Sequence, residues 1–239
     1  MKIFNYLLYI LNKLRFKHSR KSGNYKKFML SECFVLNEKY INDKVTIYNS
    51  AVIQRNLKKG GLIVFLHYGN FFLTGAAIIS QIKCSYTAVA SLENVQGKAL
   101  LFWKKLHEVF NRLYTTNMFL HDTYPLKMIR WLEDGNFLGV ALDVHTKRTN
   151  VSYNTYSLGE DIINFDNYVP KLARLSHKPV IASVIEFDSQ NQKHKLTFSN
   201  EIYDYENAIQ KSLDFFSNNI NDSNQYFHNL KLIFGNWHE

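Results

Sequence analysis

The sequence predicts an α/β protein: a mixed, mainly parallel central sheet with helices on both faces, preceded by an amphipathic N-terminal helix. Short apolar runs alternate with longer segments of helical pattern, and this alternation is typical of such sheets. The clearest strand, Leu62–Leu66, is apolar throughout, as expected of a strand that helices cover on both faces. The chain has 239 residues, 46% of them hydrophobic. This is enough for one large domain, which we place at residues 27–239.

The first half of this domain divides into elements at glycines and at changes of hydrophobic period. Gly60 and Gly61 end a helix and separate it from the strand Leu62–Leu66. Asn70 is placed to cap the helix that follows. The predicted order is helix Phe28–Ile41, strand Lys44–Asn49, helix Ser50–Lys59, strand Leu62–Leu66, helix Asn70–Gln81, strand Ser85–Ala90, helix Gly97–Leu113 and strand Asn117–His121.

The second half continues the same alternation, and the chain contains no internal repeat. The predicted order is helix Pro125–Leu132, strand Phe137–Leu142, helix Asn167–Ser176, strands Val180–Phe187 and His194–Phe198, and helices within Glu206–Asn229. In sheets of this kind, binding sites form at the carboxyl ends of the strands.

The positive charge of the chain is concentrated at its N terminus. The net charge is +9, and residues 1–31 carry eight Lys or Arg side chains and no Asp or Glu. Residues 1–26 combine these cations with an apolar band that Asn5, Asn12 and Lys13 interrupt. The band is too short to span a bilayer and lacks the cleavage site of a secretory signal. We therefore predict a basic amphipathic segment that lies at an anionic membrane surface.

Two alternatives for this segment stay open at this point. It could be an amphipathic helix packed on its own domain, or it could bind nucleic acid. Nucleic acid is the weaker alternative, because no RNA- or DNA-binding motif and no second basic stripe accompany the cations.

Metal and disulfide chemistry have no support in the sequence. Cys33 and Cys84 form no CxxC or CxxH pattern, which favours a reducing compartment. The histidines are dispersed without an HxxxH or HExxH spacing, so we predict neither a metal site nor a bound cofactor.

One segment does carry chemistry. His67 is the first polar residue after the strand Leu62–Leu66, and Gly69 and a predicted helix start follow it. An imidazole in this place would lie at the carboxyl end of a buried strand, where it can accept a proton from an attacking hydroxyl or amine. Gly69 would let a ligand approach the backbone. Taken alone, His67 fits a catalytic base and a structural hydrogen-bonding residue equally well.

The stretch from Gly60 to Phe72 resembles the first motif of the late acyltransferases of lipid A synthesis, the lauroyl/myristoyl transferases of the lysophospholipid acyltransferase superfamily. Further similar segments follow in order over residues 50–200: Ser91–Asn94, Trp131–Asp143, Leu158-Gly159 and Leu172–Val180. The resemblance implies an acyltransferase of the same fold, peripheral on the cytoplasmic side of the inner membrane, without a transmembrane span.

The resemblance also assigns roles to residues. It implies that His67 is the general base, with Tyr68, Gly69 and Asn70 at the substrate. A thioester of acyl carrier protein or coenzyme A would be the acyl donor. The chain departs from the family pattern at Phe72, where members carry an acid, at His107 with the neighbouring Lys104, where members carry an Arg, and at Val144-His145. We keep Phe72, Lys104, His107 and His145 as predicted substrate-binding positions.

The missing acid leaves three outcomes open. Another carboxylate could support His67, with Asp143 first and Glu93 or Asp122 behind. The acceptor could be an amine, a better nucleophile than a hydroxyl, which would make the protein an N-acyltransferase of specialised metabolism. The third possibility is a protein that no longer catalyses and only binds a membrane or a carrier. The first outcome predicts acyl transfer to a hydroxyl of a lipid or glycolipid, with Asp143 and Glu93 as catalytic carboxylates.

Overall fold

The computed structural model describes residues 37–90, 119–120, 125–143, 153–158 and 161–220. The helices are α1 (Glu38–Lys44), α2 (Ala51–Arg55), α3 (Phe72–Ala77, continued as a π-helix at Ile78–Ile82), α4 (Pro125–Glu133), α5 (Tyr168–Ser176) and α6 (Ala208–Asn219). The strands are β1 (Val45–Tyr48), β2 (Gly61–Phe65), β3 (Tyr86–Ala90), β4 (Phe119–Leu120), β5 (Phe137–Ala141), β6 (Tyr153–Leu158), β7 (Asp161–Asp166), β8 (Val180–Asp188) and β9 (Lys193–Phe198).

Seven strands form one sheet in the order β1-β9-β8-β2-β5-β3-β4. Neighbouring strands run parallel except β8 and β9, which pair antiparallel. The predicted mixed, mainly parallel sheet is therefore confirmed. Strand β2, the apolar run from the sequence, lies between β8 and β5 in the middle of the sheet, and every one of its residues is buried.

Helices cover both faces of this sheet, as predicted. Successive side chains of a strand point to opposite faces, so Leu62 and Val64 join one apolar cluster and Ile63 joins the other. The first cluster contains residues of α4, α5 and α6, and the second contains residues of α1, α2 and α3. The continuous apolar sequence of β2 follows directly from this double cover.

Several element boundaries differ from the sequence prediction. The prediction of one unbroken helix over Phe28–Ile41 is wrong, because Asn37 is extended. The Asn37 side chain accepts from Tyr40 N and caps the helix that begins at Glu38. Helix α2 is also shorter than predicted and ends at Arg55. The β6–β7 hairpin, an antiparallel pair outside the main sheet, was not predicted at all.

Asn70 does not cap α3, which corrects the capping prediction. Its side chain is completely buried, and its carboxamide atoms find no hydrogen-bond partner among the described residues. Only its backbone oxygen takes part in the helix start, by accepting from Leu73 N.

Several predictions fall outside the described residues, among them the segment 1–26, the helix Gly97–Leu113 and the chain beyond residue 220. Within the part of the chain that the structure describes, no helix is both long and apolar enough to cross a membrane.

Candidate active site

The chain turns sharply after β2, and His67 lies in this turn. Tyr68 N donates to Leu66 O at 2.7 Å, which bends the backbone at His67. Gly69 then has a φ of +58°, and a Cβ at this residue would lie 2.2 Å from the backbone oxygen of Ile185 in β8. The turn therefore needs glycine at 69, because both the backbone angle and the approach of β8 exclude a side chain. Binding of a ligand to Gly69 stays a prediction.

Asp143 reaches His67 through the register of two parallel strands. Gly61 of β2 pairs with Phe137 of β5, and each further pair keeps the same offset. His67 and Asp143 are separated by that offset of 76 positions and lie two residues beyond the last pair of the ladder. Since side chains alternate along a strand, both point to the same face as Gly61 and Phe137. Asp143, the carboxylate ranked first from the sequence, thus contacts His67, whereas Glu93 and Asp122 lie outside the described residues.

Two hydrogen bonds join these residues. His67 N donates to Asp143 Oδ2 at 2.9 Å, and His67 Nδ1 lies 2.7 Å from Asp143 Oδ1. A carboxylate can only accept, so the ring proton belongs on Nδ1. This leaves Nε2 with its lone pair, which is the form of the imidazole that can accept a proton from a substrate.

Burial differs sharply within the pair. The Asp143 side chain is fully buried, whereas 15% of the His67 side chain is exposed. Phe71 packs edge-to-face against the imidazole with ring centroids 4.5 Å apart, and Phe65 does so at 6.2 Å. The imidazole is thus hydrogen-bonded to a buried acid, packed against two aromatic rings and partly exposed to solvent. Such surroundings suit proton transfer to a bound molecule.

The remaining predicted substrate-binding residues have diverse surroundings. Tyr68 is buried in the first apolar cluster, and Phe72 is half-buried against the second and packs on Phe71 at 4.2 Å between ring centroids. Predictions for Glu93, Lys104, His107 and His145, and for Asp122, lie outside the described residues.

A cleft lies next to this turn. Its volume is only about 10 Å³, which is room for about one water molecule. Its lining comes from β2 and the following turn, α3, β8 and α6: Phe65, Leu66, Tyr68, Phe71, Thr74, Ser183, Val184, Ile185, Phe216 and Ile220. The volume is below the roughly 300–1,000 Å³ of most small-molecule sites.

The positions of Phe65 and of β8 beside His67 were not predicted from the sequence. A signal for Phe65 was present, because a residue two positions before His67 lies on the same face of the strand. The part played by Ile185 and its neighbours had no local signal, since it depends on β8 being the neighbour of β2.

Other chemistries find little support among the described residues. No group of three or more His, Cys, Asp or Glu side chains there is arranged to hold a metal. Burial raises the pKa of the Cys84 thiol to about 12. At neutral pH that thiol is protonated, which makes it a poor nucleophile.

No known protein-family model matches this chain, and no curated protein matches it. Function is therefore inferred from the geometry of His67 and Asp143.

Proposed function

We propose that the protein is an acyltransferase that moves a fatty acyl group from a thioester to a hydroxyl of a lipid or glycolipid, with His67 as the general base. The observation that carries this proposal is the pairing of His67 Nδ1 with the buried Asp143, which leaves Nε2 as the proton-accepting nitrogen of a partly exposed side chain. The position at the carboxyl ends of two adjacent parallel strands supports it, because α/β sheets bind ligands at that edge.

The proposed reaction has two steps. First, Nε2 of His67 removes the proton of the acceptor hydroxyl while the oxygen attacks the thioester carbonyl, which forms a new C–O bond and a tetrahedral oxyanion. In the second step the oxyanion collapses, the C–S bond breaks, and the leaving sulfur takes the proton from Nε2. The ester and the free thiol are released, and His67 returns to its neutral form, so no resident cofactor takes part.

Asp143 acts through His67. Its two oxygens fix the orientation of the ring and the proton on Nδ1, and its negative charge stabilises the imidazolium that forms in the first step. The resembled family carries its acid at the position of Phe72. In the proposed site the carboxylate comes instead from the end of the neighbouring strand, and Phe72 packs on Phe71.

The donor and the location follow from the same proposal. A thioester of an acyl carrier protein or of coenzyme A supplies the acyl group. The basic amphipathic segment 1–26 holds the protein on the cytoplasmic face of the inner membrane as a peripheral protein, where a lipid acceptor is available.

The test is an acyl-transfer assay with purified protein, an acyl carrier thioester and membranes as the source of acceptor. We expect His67→Ala to lower the transfer rate at least a thousandfold, because loss of a general base typically costs about 10²–10⁴ and this base also returns its proton to the leaving sulfur. His177→Asn is the matched control, since His177 is exposed, ends α5 in a left-handed conformation that Asn tolerates, and lies outside the site. Equal transfer by His67→Ala and the wild type would refute the proposal.

Two other functions are outcomes of the same assay. Faster transfer to a primary amine than to any membrane lipid would make the protein an N-acyltransferase of specialised metabolism. Carrier or vesicle binding without transfer to either acceptor would make it a non-catalytic binding protein.

A further inference from the structure

The hydrogen bonds from His67 to Asp143 fix its imidazole only loosely. One of them joins the backbone N–H to the carboxylate, so Nδ1 makes the only bond that acts on the ring itself. A hydrogen bond tolerates deviations from linearity of about 30°, and the torsion that turns a histidine ring is broad. A reacting group has to stay within about 10–20° of its productive geometry. A general base at this position therefore needs a second constraint on its ring.

Phe71 supplies a second contact to the imidazole. The two ring centroids lie 4.5 Å apart, and the ring planes are nearly perpendicular at 83°. Aromatic pairs have centroid separations of about 4.5–7 Å, so this contact is as close as such pairs become. Rotation of the imidazole about its bond to Cβ would press its atoms against the phenyl ring. Phe65 makes a similar contact at the longer distance of 6.2 Å.

The ring of Phe71 is itself held by two other aromatic side chains. Phe65 is stacked on it at 5.9 Å with an interplanar angle of 15°, and Phe72 packs on it at 4.2 Å. A side chain whose rotamer is fixed by packing can in turn orient the group beside it. Phe71 is therefore a firm contact for the imidazole.

The backbone of Phe71 is held by the packing of α3 on the sheet. Phe71 is the N-cap residue of this helix, and Gly75 follows one turn later. A Cβ at Gly75 would lie 2.5 Å from Cε1 of Tyr86, a buried residue of β3. The helix thus rests directly on the Tyr86 ring, at a distance that a residue with a Cβ could not reach. This contact fixes the height of α3, and with it the height of Phe71, above the sheet.

We propose that Phe71 is a positioning residue of the general base, which holds the His67 imidazole in the orientation that presents Nε2 to the acceptor. The inference rests on the proposed acyl transfer and adds a residue to it. Phe71 takes no part in bond making or breaking and acts only through His67. Its replacement by another flat ring should preserve activity, whereas an aliphatic side chain should fill the space without restricting the imidazole.

Steady-state kinetics in the acyl-transfer assay tests this role. Phe71→Leu keeps an apolar side chain but removes the ring. We expect kcat to fall about 10- to 100-fold, because displacement of a reacting group by about 1 Å costs on the order of 10² in rate. KM should stay unchanged, since no substrate contact is removed. Phe71→Tyr should keep most of the wild-type kcat, because it retains the ring and the half-buried position gives its hydroxyl access to solvent.

Phe187 provides the matched control. It is 8% exposed and packs on His194 of β9 with ring centroids 5.0 Å apart, so it makes the same kind of contact with a histidine outside the site. Phe187→Leu should lower Tm and leave kcat unchanged. A wild-type kcat in folded Phe71→Leu, or equal falls in the two leucine variants, would overturn the assignment. A rise in KM at constant kcat would also overturn it, because Phe71 would then contact the substrate directly.

The mobility of the His67 ring is a second measurement, and it requires no turnover. Carbon-13 relaxation of the imidazole, assigned through the signal lost in His67→Ala, should give a wild-type order parameter near the value of about 0.85 found for rigid backbone. In Phe71→Leu it should fall below about 0.6, the range of flexible groups. A mobile ring in the wild type would contradict the inference even if the variant failed to fold.

The two measurements separate this inference from the proposed function. An ordered ring that loosens in Phe71→Leu, in a protein without transferase activity, would keep Phe71 as the residue that orients His67 and reject the transferase. Active transfer that depends on His67, with a ring equally ordered in wild type and Phe71→Leu, would keep the transferase and reject the positioning role.

Discussion

His67 and His194 belong to the same sheet but have different surroundings. His67 follows β2 at the carboxyl edge, bonds to the carboxylate of Asp143 and is partly exposed. His194 lies within β9, is 1% exposed, and its Nε2 is 3.2 Å from the hydroxyl of Tyr40. Its Nδ1 finds no hydrogen-bond partner among the described residues.

The two histidines differ in burial and in the presence of an acidic partner. Burial without a charged partner lowers the pKa of His194 to about 3, so that ring stays neutral and serves as part of the core. At His67 the carboxyl group of Asp143 lies against Nδ1, and 15% of the side chain is exposed. This is the arrangement that the proposed general base requires. The hydrogen-bond partner and the solvent exposure of a histidine, more than its place in a sheet, determine whether it can serve as a base.

The largest expected effect tests the partner of His67. In Asp143→Asn the amide oxygen can still accept from His67 N, but its NH₂ group then faces Nδ1 and forces the ring proton onto Nε2. The base would lose its lone pair at the reactive nitrogen. We expect kcat to fall by about 10⁴, as for the corresponding change in the serine-protease triad. Steady-state kinetics measures this, with His194→Phe as the control that should keep its rate. A wild-type rate for Asp143→Asn would remove the distinction between the two histidines.

The next effect concerns the turn that holds His67. In Gly69→Ala the new Cβ would meet Ile185 O at 2.2 Å in a left-handed backbone, so we expect a loss of about 3 kcal/mol in the free energy of unfolding. Gly61→Ala is the control: its φ is not left-handed and its nearest contact is 3.3 Å. Urea unfolding should show a loss of about 1 kcal/mol for that variant. Equal losses would show that β8 does not constrain the turn.

The smallest expected effect is a pH dependence of the free energy of unfolding that comes from His194. The unfolded chain binds a proton at His194 below its ordinary pKa of 6.5, whereas the folded protein does so only near 3. Stability from this residue is thus fully present above pH 6.5 and declines as the pH falls toward 3. Between pH 7 and 4.5 the loss should be roughly 2–3 kcal/mol.

Urea unfolding at the two pH values measures this loss. A His194→Phe variant should show a decline smaller by about that amount. An unchanged decline would mean that protonation of His194 does not couple to unfolding.

The central strand and the position of His67 could be predicted from the sequence, whereas contacts between segments distant in the chain could not. Strand β2 and the position of His67 at its end follow from a run of five apolar residues and the polar residue after it. Asp143 could be ranked first because it ends another buried strand, but the adjacency of β2 and β5 that makes the contact is visible only in the fold.

The β6–β7 hairpin was missed for a different reason. Most of β6 is exposed and polar, so it lacks the apolar run that identified the other strands. A signal was present nonetheless: only Gly159 and Glu160 separate the two strands, a loop length and a glycine typical of tight hairpins. The capping prediction for Asn70 was wrong for the opposite reason: the residue type suits a helix cap, but its buried side chain makes no hydrogen bond to the helix start.

The contact between His67 and Asp143 depends on the register in which β2 pairs with β5. A slip of one residue between these strands would bring Leu142 opposite His67 and turn the carboxylate to the other face of the sheet. Insertion of a single residue into β5 should therefore abolish activity even if the sheet still assembles. The proposed function therefore requires a fixed number of residues in each strand as well as the two side chains themselves.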